Sequence, residues 1–263
     1  MMPAVSALSA DLDDGEFAAR LALAAGQLLL GIREEGAHRG KALGKAGDAA
    51  ANALICDAIR SFRPEDALLS EEEKDNPARC ERSRVWIVDP VDGTREYGEA
   101  RSDWAVHVGL AVNGRASLGA VALPGLESAA EGEGPGNIVL RSDRPRPLAP
   151  QQAQPRMVVS RTRPAAEALA VADAIGAALV PMGSAGAKAM AVVRGDAEIY
   201  LHSGGQYEWD NCAPVAVAQA HGLHCSRIDG SALRYNRRDP YLPDLLICRP
   251  EWTEAVFAAL TRL

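Results

Sequence analysis

Four apolar residues, Val85-Trp86-Ile87-Val88, run directly into Asp89-Pro90-Val91-Asp92-Gly93-Thr94, and no other stretch restricts what this chain can fold into as tightly. A short apolar run with β-branched and aromatic members reads as a buried strand. Asp89-Pro90 predicts its end, because proline brings no N–H to a sheet ladder. Two carboxylates then leave the end of a buried strand and flank a rigid turn. Gly93 and Thr94 follow where a helix can start, and their backbone N–H groups could cradle a phosphate.

The rest of the chain supplies layers for such a strand. Asp13 or Asp14 can cap a helix presenting Phe17, Leu21, Ala25 and Leu28 on one face. A glycine-rich stretch, 36–47, breaks that pattern. Asp48 then stands where an N-cap belongs, ahead of a helix burying Leu54, Ile55, Ile59 and Phe62. Further on, Trp104 to Val112 and Ala116 to Leu123 flank Asn113-Gly114, a hairpin signal, since a type I′ turn needs positive φ at both central residues. Glu131 to Gly136 reads as a loop. The Pro- and Gln-rich stretch from Arg144 to Arg156 reads as a boundary between an N-terminal α+β half, residues 1–145, and a C-terminal α/β half, residues 155–263. In the second half, strands at Met157–Val159, Ala178–Val180 and Ala197–Leu201 alternate with helices beginning near Pro164, Ser184 and Asp210. That rhythm implies a layered α/β arrangement.

At 263 residues, 48% of them hydrophobic, the chain can bury a sizeable core. A net charge of −7 argues against a general nucleic-acid binder, which needs clustered Lys and Arg. Such a chain can still hold an anion if metal ions supply positive charge locally. No secretory signal is visible and no window approaches a membrane-spanning length, so neither nucleic-acid polymer nor membrane is expected as a partner. Cys56, Cys80, Cys212, Cys225 and Cys248 are scattered without a Cys-x-x-Cys, which suits reduced thiols in a cytoplasmic protein. Cys212 reads as a small buried hydrophobe, and Trp86 and Trp104 read as core.

Carboxylates carry the chemical signal. Hard cations such as Mg²⁺ want oxygen ligands and leave positions for water and phosphate. Alone, Asp89-x-x-Asp92 would be explained by an Asx-turn at a strand end. It is accompanied by Ser70-Glu71-Glu72-Glu73 upstream, of which Glu73 reads as plain solvated charge, and by Trp209-Asp210 at a helix start downstream. The five histidines form no obvious pair with a Ser or Cys nucleophile.

Ser-Glu-Glu, then Trp-Ile-Val-Asp-Pro-Val-Asp-Gly-Thr, then Trp-Asp, in that order from about Asp48 to Asn236, resembles the signature set of the inositol monophosphatase superfamily. That family contains inositol phosphatases, 3′(2′),5′-bisphosphate nucleotidases and relatives of fructose-1,6-bisphosphatase. The resemblance implies an αβαβα five-layer sandwich, in agreement with the alternation above, and a Mg²⁺-dependent phosphomonoesterase with up to three metals per site. It implies that Glu71, Asp89 and the Val91 carbonyl hold one metal and that Asp89, Asp92 and Asp210 hold a second, with Glu71 helping to place a third. Thr94, with Asp48 or Glu71 behind it, would orient the attacking water. Asp92, Gly93, Thr94, Ser160, Ser184, Lys188 and Asp210 would form the substrate wall. It further implies a homodimer, sensitivity to Li⁺, and a small anionic phosphorylated metabolite as partner.

The substrate features are a hybrid. Arg95-Glu96-Tyr97 is similar to the Lys-Glu-Phe of the nucleotidases, and Ser203 stands where inositol enzymes carry a Glu that grips sugar hydroxyls. Val159-Ser160-Arg161-Thr162 and Tyr235-Asn236 also resemble nucleotidase elements. Against these, Gly183-Ser184 is separated from Lys188 by the longer spacing of the inositol branch, and Lys45 replaces a customary threonine. Lys188, Arg237 and Arg238 are candidates for a second phosphate, with surface charge the ordinary reading of Arg238, and Tyr207 could stack on a base. These features favour 3′-phosphoadenosine 5′-phosphate and its sulfated relative, in sulfate assimilation. Inositol monophosphate or fructose bisphosphate hydrolysis is the alternative. A catalytically silent metal-binding scaffold is the non-enzymatic one, which an intact Glu71, Asp89, Asp92, Thr94 and Asp210 set opposes.

Overall fold

The computed structural model describes residues 8–126 and 138–263. Asp13 caps α1 (Asp14–Glu35), its carboxylate accepting the Glu16 N–H at 2.7 Å. Phe17, Leu21 and Ala25 are buried, with Leu29 rather than Leu28 completing the face. By length and composition α1 could cross a membrane, which corrects the expectation that no window approaches that length. In this fold 56% of that apolar window is buried inside the protein, as in a core helix.

α2 spans Gly40–Phe62, so Asp48 lies mid-helix and is not its N-cap. Of the glycines expected to break the pattern, Gly36 does end α1, with φ of 68°, whereas Gly40, Gly44 and Gly47 lie in the first half of α2. A Cβ on Gly44 would lie 2.7 Å from Thr94 Cγ2, and one on Gly47 would lie 2.6 Å from Tyr97 Cε1. The helix gives up about 1 kcal/mol per glycine relative to alanine and gains close approach to the short α3 (Thr94–Gly98).

The first sheet has the order β1-β2-β3-β4-β5, from β1 (Ala67–Ser70), β2 (Arg84–Asp92), β3 (Ala105–Val112), β4 (Arg115–Ala122) and β5 (Val139–Arg141). β1 and β2 are parallel and the remaining pairs antiparallel. Asn113 and Gly114 turn between β3 and β4 with φ of 51° and 73°, as their sequence predicts. The loop expected at Glu131–Gly136 lies outside the described residues.

β2 does not stop at Asp89-Pro90. Asp89 pairs with His107 and Asp92 with Ala105, so Pro90 and Val91 together oppose Val106. This bulge absorbs a proline that has no N–H to give. In a regular strand, residues three apart face opposite sides; the extra residue turns both aspartates to one side.

Residues 142–155, without helix or strand, lead into the second sheet, of order β7-β6-β8-β10-β9. Its strands are β6 (Arg156–Ser160), β7 (Ala178–Met182), β8 (Ile199–Tyr207), β9 (His224–Ser226) and β10 (Tyr241–Cys248). β6 runs parallel to β7 and β8, the βαβ arrangement the alternation predicts. The connecting helices are α4 (Ala166–Ile175), α5 (Ala185–Arg194) and α6 (Glu208–Ala220), and α7 (Thr253–Leu260) closes the chain.

α1 and α2 cover one face of the first sheet around a core holding Phe17, Ile55, Trp86 and Trp104. α5 and α6 fill the space between the sheets, and α4 and α7 cover the outer face of the second. The result is the αβαβα sandwich. α6 sits directly on strand backbone: a Cβ on Gly119 of β4 would lie 2.3 Å from the Ala213 carbonyl oxygen.

Candidate active site

The bulged end of β2 and the first turn of α6 meet at the site. Asp89, Asp92 and Asp210 each bring a carboxylate oxygen within 4.8 Å of the others. Asp89 and Asp92 are buried. Glu71 follows β1, its N–H donating to the Val88 carbonyl at 3.4 Å. Glu71 is exposed as a residue, yet its carboxyl lies close enough to those of Asp210 and Asp89 to feel their charge. Glu73 instead pairs with Arg60 on α2, as solvated charge would.

Crowding sets the protonation of this cluster. Burial, then repulsion from Glu71, Asp92 and Asp210, raises Asp89 well above the usual carboxylate range. Burial and Asp210 push Glu71 up to about 7. Burial and Asp92 push Asp210 up to about 6. Burial opposes ionisation of Asp92 as well, but His107, Ser184 and Lys188 more than compensate and hold it at about 2. Repulsion of this kind is what a bound cation would relieve, and a set of carboxylate oxygens suits a hard divalent ion. The donor set fits a metal.

Beside the cluster, the Thr94 hydroxyl lies 3.3 Å from Asp48 Oδ1 and 3.1 Å from the Val91 carbonyl. Asp48, on α2, is pushed up to about 7 by burial and by Glu72, against the Thr94 contact. The Val91 N–H donates to Asp89 Oδ1 at 3.1 Å. Gly93 precedes α3 with φ of 88°. Asp48, Glu71, Asp89, Val91, Asp92, Gly93, Thr94 and Asp210 thus converge, although they come from four separated stretches of chain.

The start of α5 closes the opposite side. The Ser184 hydroxyl donates to Asp92, and the N–H groups of Ala185 and Gly186 donate to the same carboxylate at 3.0 and 2.5 Å. Gly186 is required by proximity, since a Cβ there would lie 1.9 Å from His107 Nε2. Adjoining Ser184 is a cavity of about 450 Å³ lined by Arg95, Glu96, Ser160, Arg161, Arg163 and Lys188, in which Arg161 pairs with Glu96 and Glu99 and Arg95 pairs with Glu99. Ser160, at the end of β6, accepts the Arg163 N–H at 3.2 Å. Lys188 is only 5% exposed, and its ammonium turns onto the carbonyls of Gly183 and Ser184. Arg237 and Arg238 are exposed, and the Arg237 N–H donates to Glu208. Ser203 donates to Glu167, and Tyr207 stacks on Trp209 at a 4.7 Å centroid separation.

Sequence reasoning missed His107. This fully buried imidazole on β3 places Nε2 3.2 Å from Asp92 Oδ2 and Nδ1 3.0 Å from the Trp209 carbonyl. It therefore ties β2 and α6, the two elements that carry the aspartate cluster, together. Its signal was present: a lone polar residue inside the apolar run of β3. Cys212 is fully buried, as a small hydrophobe should be, and all five cysteines are free thiols.

A family model described as the inositol monophosphatase family matches residues 14–262. A protein of Mycobacterium leprae named 3′-phosphoadenosine 5′-phosphate phosphatase is 48% identical over 256 residues, covering 92% of this chain and 91% of its own. The Escherichia coli K12 protein named 3′(2′),5′-bisphosphate nucleotidase CysQ is 31% identical over 208 residues, covering 75% of this chain and 81% of its own. Among solved structures, CysQ from Bacteroides thetaiotaomicron superposes with a TM-score of 0.70 at 26% identity, covering 87% of this chain and 94% of that one. Sequence, fold and carboxylate constellation agree, and the chain belongs to the inositol monophosphatase family.

Proposed function

We propose that this protein is a Mg²⁺-dependent 3′(2′),5′-bisphosphate nucleotidase that hydrolyses the 3′-phosphate of 3′-phosphoadenosine 5′-phosphate, and of its sulfated form, giving AMP and phosphate from the former. The observation that carries the reading is the juxtaposition of the Asp89-Asp92-Asp210 cluster with an arginine-lined cavity of about 450 Å³. One phosphate can lie at the carboxylates while a second anionic group meets Arg163, or draws Arg95 and Arg161 from their ion pairs with Glu96 and Glu99. A small ester with one phosphate has no use for that cavity. The relatives' names support the same choice.

Glu71, Asp89, Asp92, Asp210 and the Val91 carbonyl would hold Mg²⁺. When bound, the metals supply charge shielding for the phosphate and acidify water beside it. Asp48 and Thr94 form the proton-handling pair. Thr94 Oγ1, fixed between Asp48 and Val91, can accept a hydrogen bond from the attacking water and align it. Asp48, held at about 7, can take the proton at neutral pH. Ser184 and the amides of Ala185 and Gly186 hold Asp92 in the orientation its ligand role needs. Clearance of a by-product of sulfate assimilation in the cytoplasm, by a homodimer, completes the proposal.

The test is phosphate release from phosphoadenosine phosphate, inositol 1-phosphate and fructose 1,6-bisphosphate, with Mg²⁺ and with chelator. We expect kcat/KM for the nucleotide to exceed that for inositol 1-phosphate by roughly a hundredfold, about 2.7 kcal/mol of transition-state binding. Equal efficiencies would point to the inositol branch. No turnover of any of the three with Mg²⁺ would leave the scaffold reading.

A further inference from the structure

Lys188 lies in the first turn of α5, where a lysine would ordinarily snorkel to water. It is 5% exposed, and among the described residues it makes no ion pair. Its Nζ donates to the Gly183 carbonyl at 3.0 Å and to the Ser184 carbonyl, and lies 5.4 Å from the Tyr200 ring centroid. An ammonium has three protons and no acceptor. Two carbonyls and a ring face account for all three.

The two carbonyls flank the α-carbon of Ser184, whose φ of 46° and ψ of 137° are conformationally strained for any residue with a side chain. Such strain persists only when the surroundings over-determine it. Ser184 also begins the run of three donors on Asp92: its own hydroxyl, then the N–H groups of Ala185 and Gly186. Tyr200 is itself held fast. Its hydroxyl accepts from Gln206 at 2.8 Å, Gln206 accepts from Asn211 at 3.0 Å, and Asn211 accepts from Tyr235 at 2.9 Å, all four residues being buried. Ring, ammonium, strained turn and carboxylate form one continuous support.

We propose that Lys188 is a positioning residue that locks the Gly183-Ser184 turn, so that three donors fix Asp92 as a metal ligand, and that it does not grip the second phosphate of the substrate. The inference rests on the reading of Asp92 as a metal ligand. It replaces the sequence expectation that this lysine meets the nucleotide.

The test is calorimetric titration of Mg²⁺ into the substrate-free protein, for the wild type, Lys188→Met, Ser184→Ala, the double variant and Asp92→Asn. Methionine keeps the length and the contact with Tyr200 while removing the donors. Supporting residues of this kind cost roughly 10–100-fold in metal affinity when lost, and we expect at least the lower figure for Lys188→Met. Its kcat should fall by one common factor on phosphoadenosine phosphate and on p-nitrophenyl phosphate, which has neither base nor second phosphate. The double variant should bind Mg²⁺ about as well as the weaker single variant, since both changes break one unit. Unchanged Mg²⁺ affinity with a raised KM for the bisphosphate alone would overturn the inference, and so would additive losses. If Lys188→Met does not fold, Lys188→Gln is judged by the same criteria. Asp92→Asn separates the two levels. Mg²⁺ affinity kept in Asp92→Asn defeats the metal-ligand reading, whereas affinity lost there but kept in Lys188→Met defeats only the role of the lysine.

Discussion

Four carboxyl groups that would each be ionised in water are forced together, and most of the site's behaviour follows from how each is relieved. Asp92 has His107, Ser184 and two amides; Asp89 has one amide, and burial with repulsion from its neighbours raises it instead. Replacing Asp89, Asp92 or Asp210 by Asn removes a charge while nearly preserving shape, so each variant should stay folded and lose activity by orders of magnitude. Circular dichroism and phosphate release check this, and wild-type turnover in any of the three would sink the site. The same crowding gives a pH dependence with a defined sign. Asp48 and Glu71, near 7, and Asp210, near 6, hold protons in the native state that the unfolded chain releases above about pH 4. Their contribution to the stability of the metal-free protein is therefore fully present below about pH 4 and lost as pH rises to about 7. Asp92, at about 2, has the opposite sign and changes nothing in that window. Mg²⁺ affinity should climb over the same interval, because protons must leave for the metal to enter. Thermal unfolding with chelator at about pH 5 and about pH 8, beside Mg²⁺ titrations at both, tests the two trends together. A melting temperature of the metal-free protein that rises across the window would contradict the assignment.

Among the elements, α2 shows how local and tertiary signals diverge. An exposed Gly→Ala change in a helix gains about 1 kcal/mol, but Gly44 faces the stiff, β-branched Thr94, and a Cβ would stand 2.7 Å from its methyl. Overpacking costs typically 1–3 kcal/mol, so we expect Gly44→Ala to lower the melting temperature and, by displacing Thr94 from Asp48, to lower kcat. Unchanged stability and kcat would mean the contact is soft. This competition also explains why the helix was misread. Gly40, Gly44 and Gly47 look like a break to any reading of neighbours along the chain, and only the approach of α3 turns Gly44 and Gly47 into packing surface. β2 is the complementary case. Its buried character was legible from Val85 to Val88, whereas its continuation through Pro90 depends on β3, whose register was not. The carboxylates that cluster were readable because their pattern is local and ordered: Asp89 and Asp92 close together in one segment, Asp210 at a helix start. The fate of Lys188 was not, since nothing beside it in sequence says that Tyr200 lies beneath its ammonium. Nor was that of His107, whose partners are Asp92 and a carbonyl 102 residues away.

At the scale of the molecule, the site is a seam. Asp89 and Asp92 belong to the first sheet and Glu71 follows its strand β1, while Asp210 opens a helix that fills the space between the sheets and arrives more than a hundred residues later. An ion bound there ties both parts together, so Mg²⁺ should raise the melting temperature by mass action on the native state. Li⁺ and Ca²⁺ should compete for the same positions and inhibit. Lithium carries half the charge and stabilises the transition state less, and calcium enters with longer, looser bonds. Activity under saturating Mg²⁺ that is indifferent to millimolar levels of both ions would contradict the proposed metals. The seat of α6 on Gly119 bears on the same choice of ion. With Ala213 close against the bare strand at Gly119 of β4 and Gly109 of β3, α6 meets this sheet main chain on main chain, and that contact sets how Asp210 stands over the aspartates of β2. A choice between bonds of about 2.1 Å for Mg²⁺ and about 2.4 Å for Ca²⁺ would then depend on main-chain packing more than on the side chains of the core.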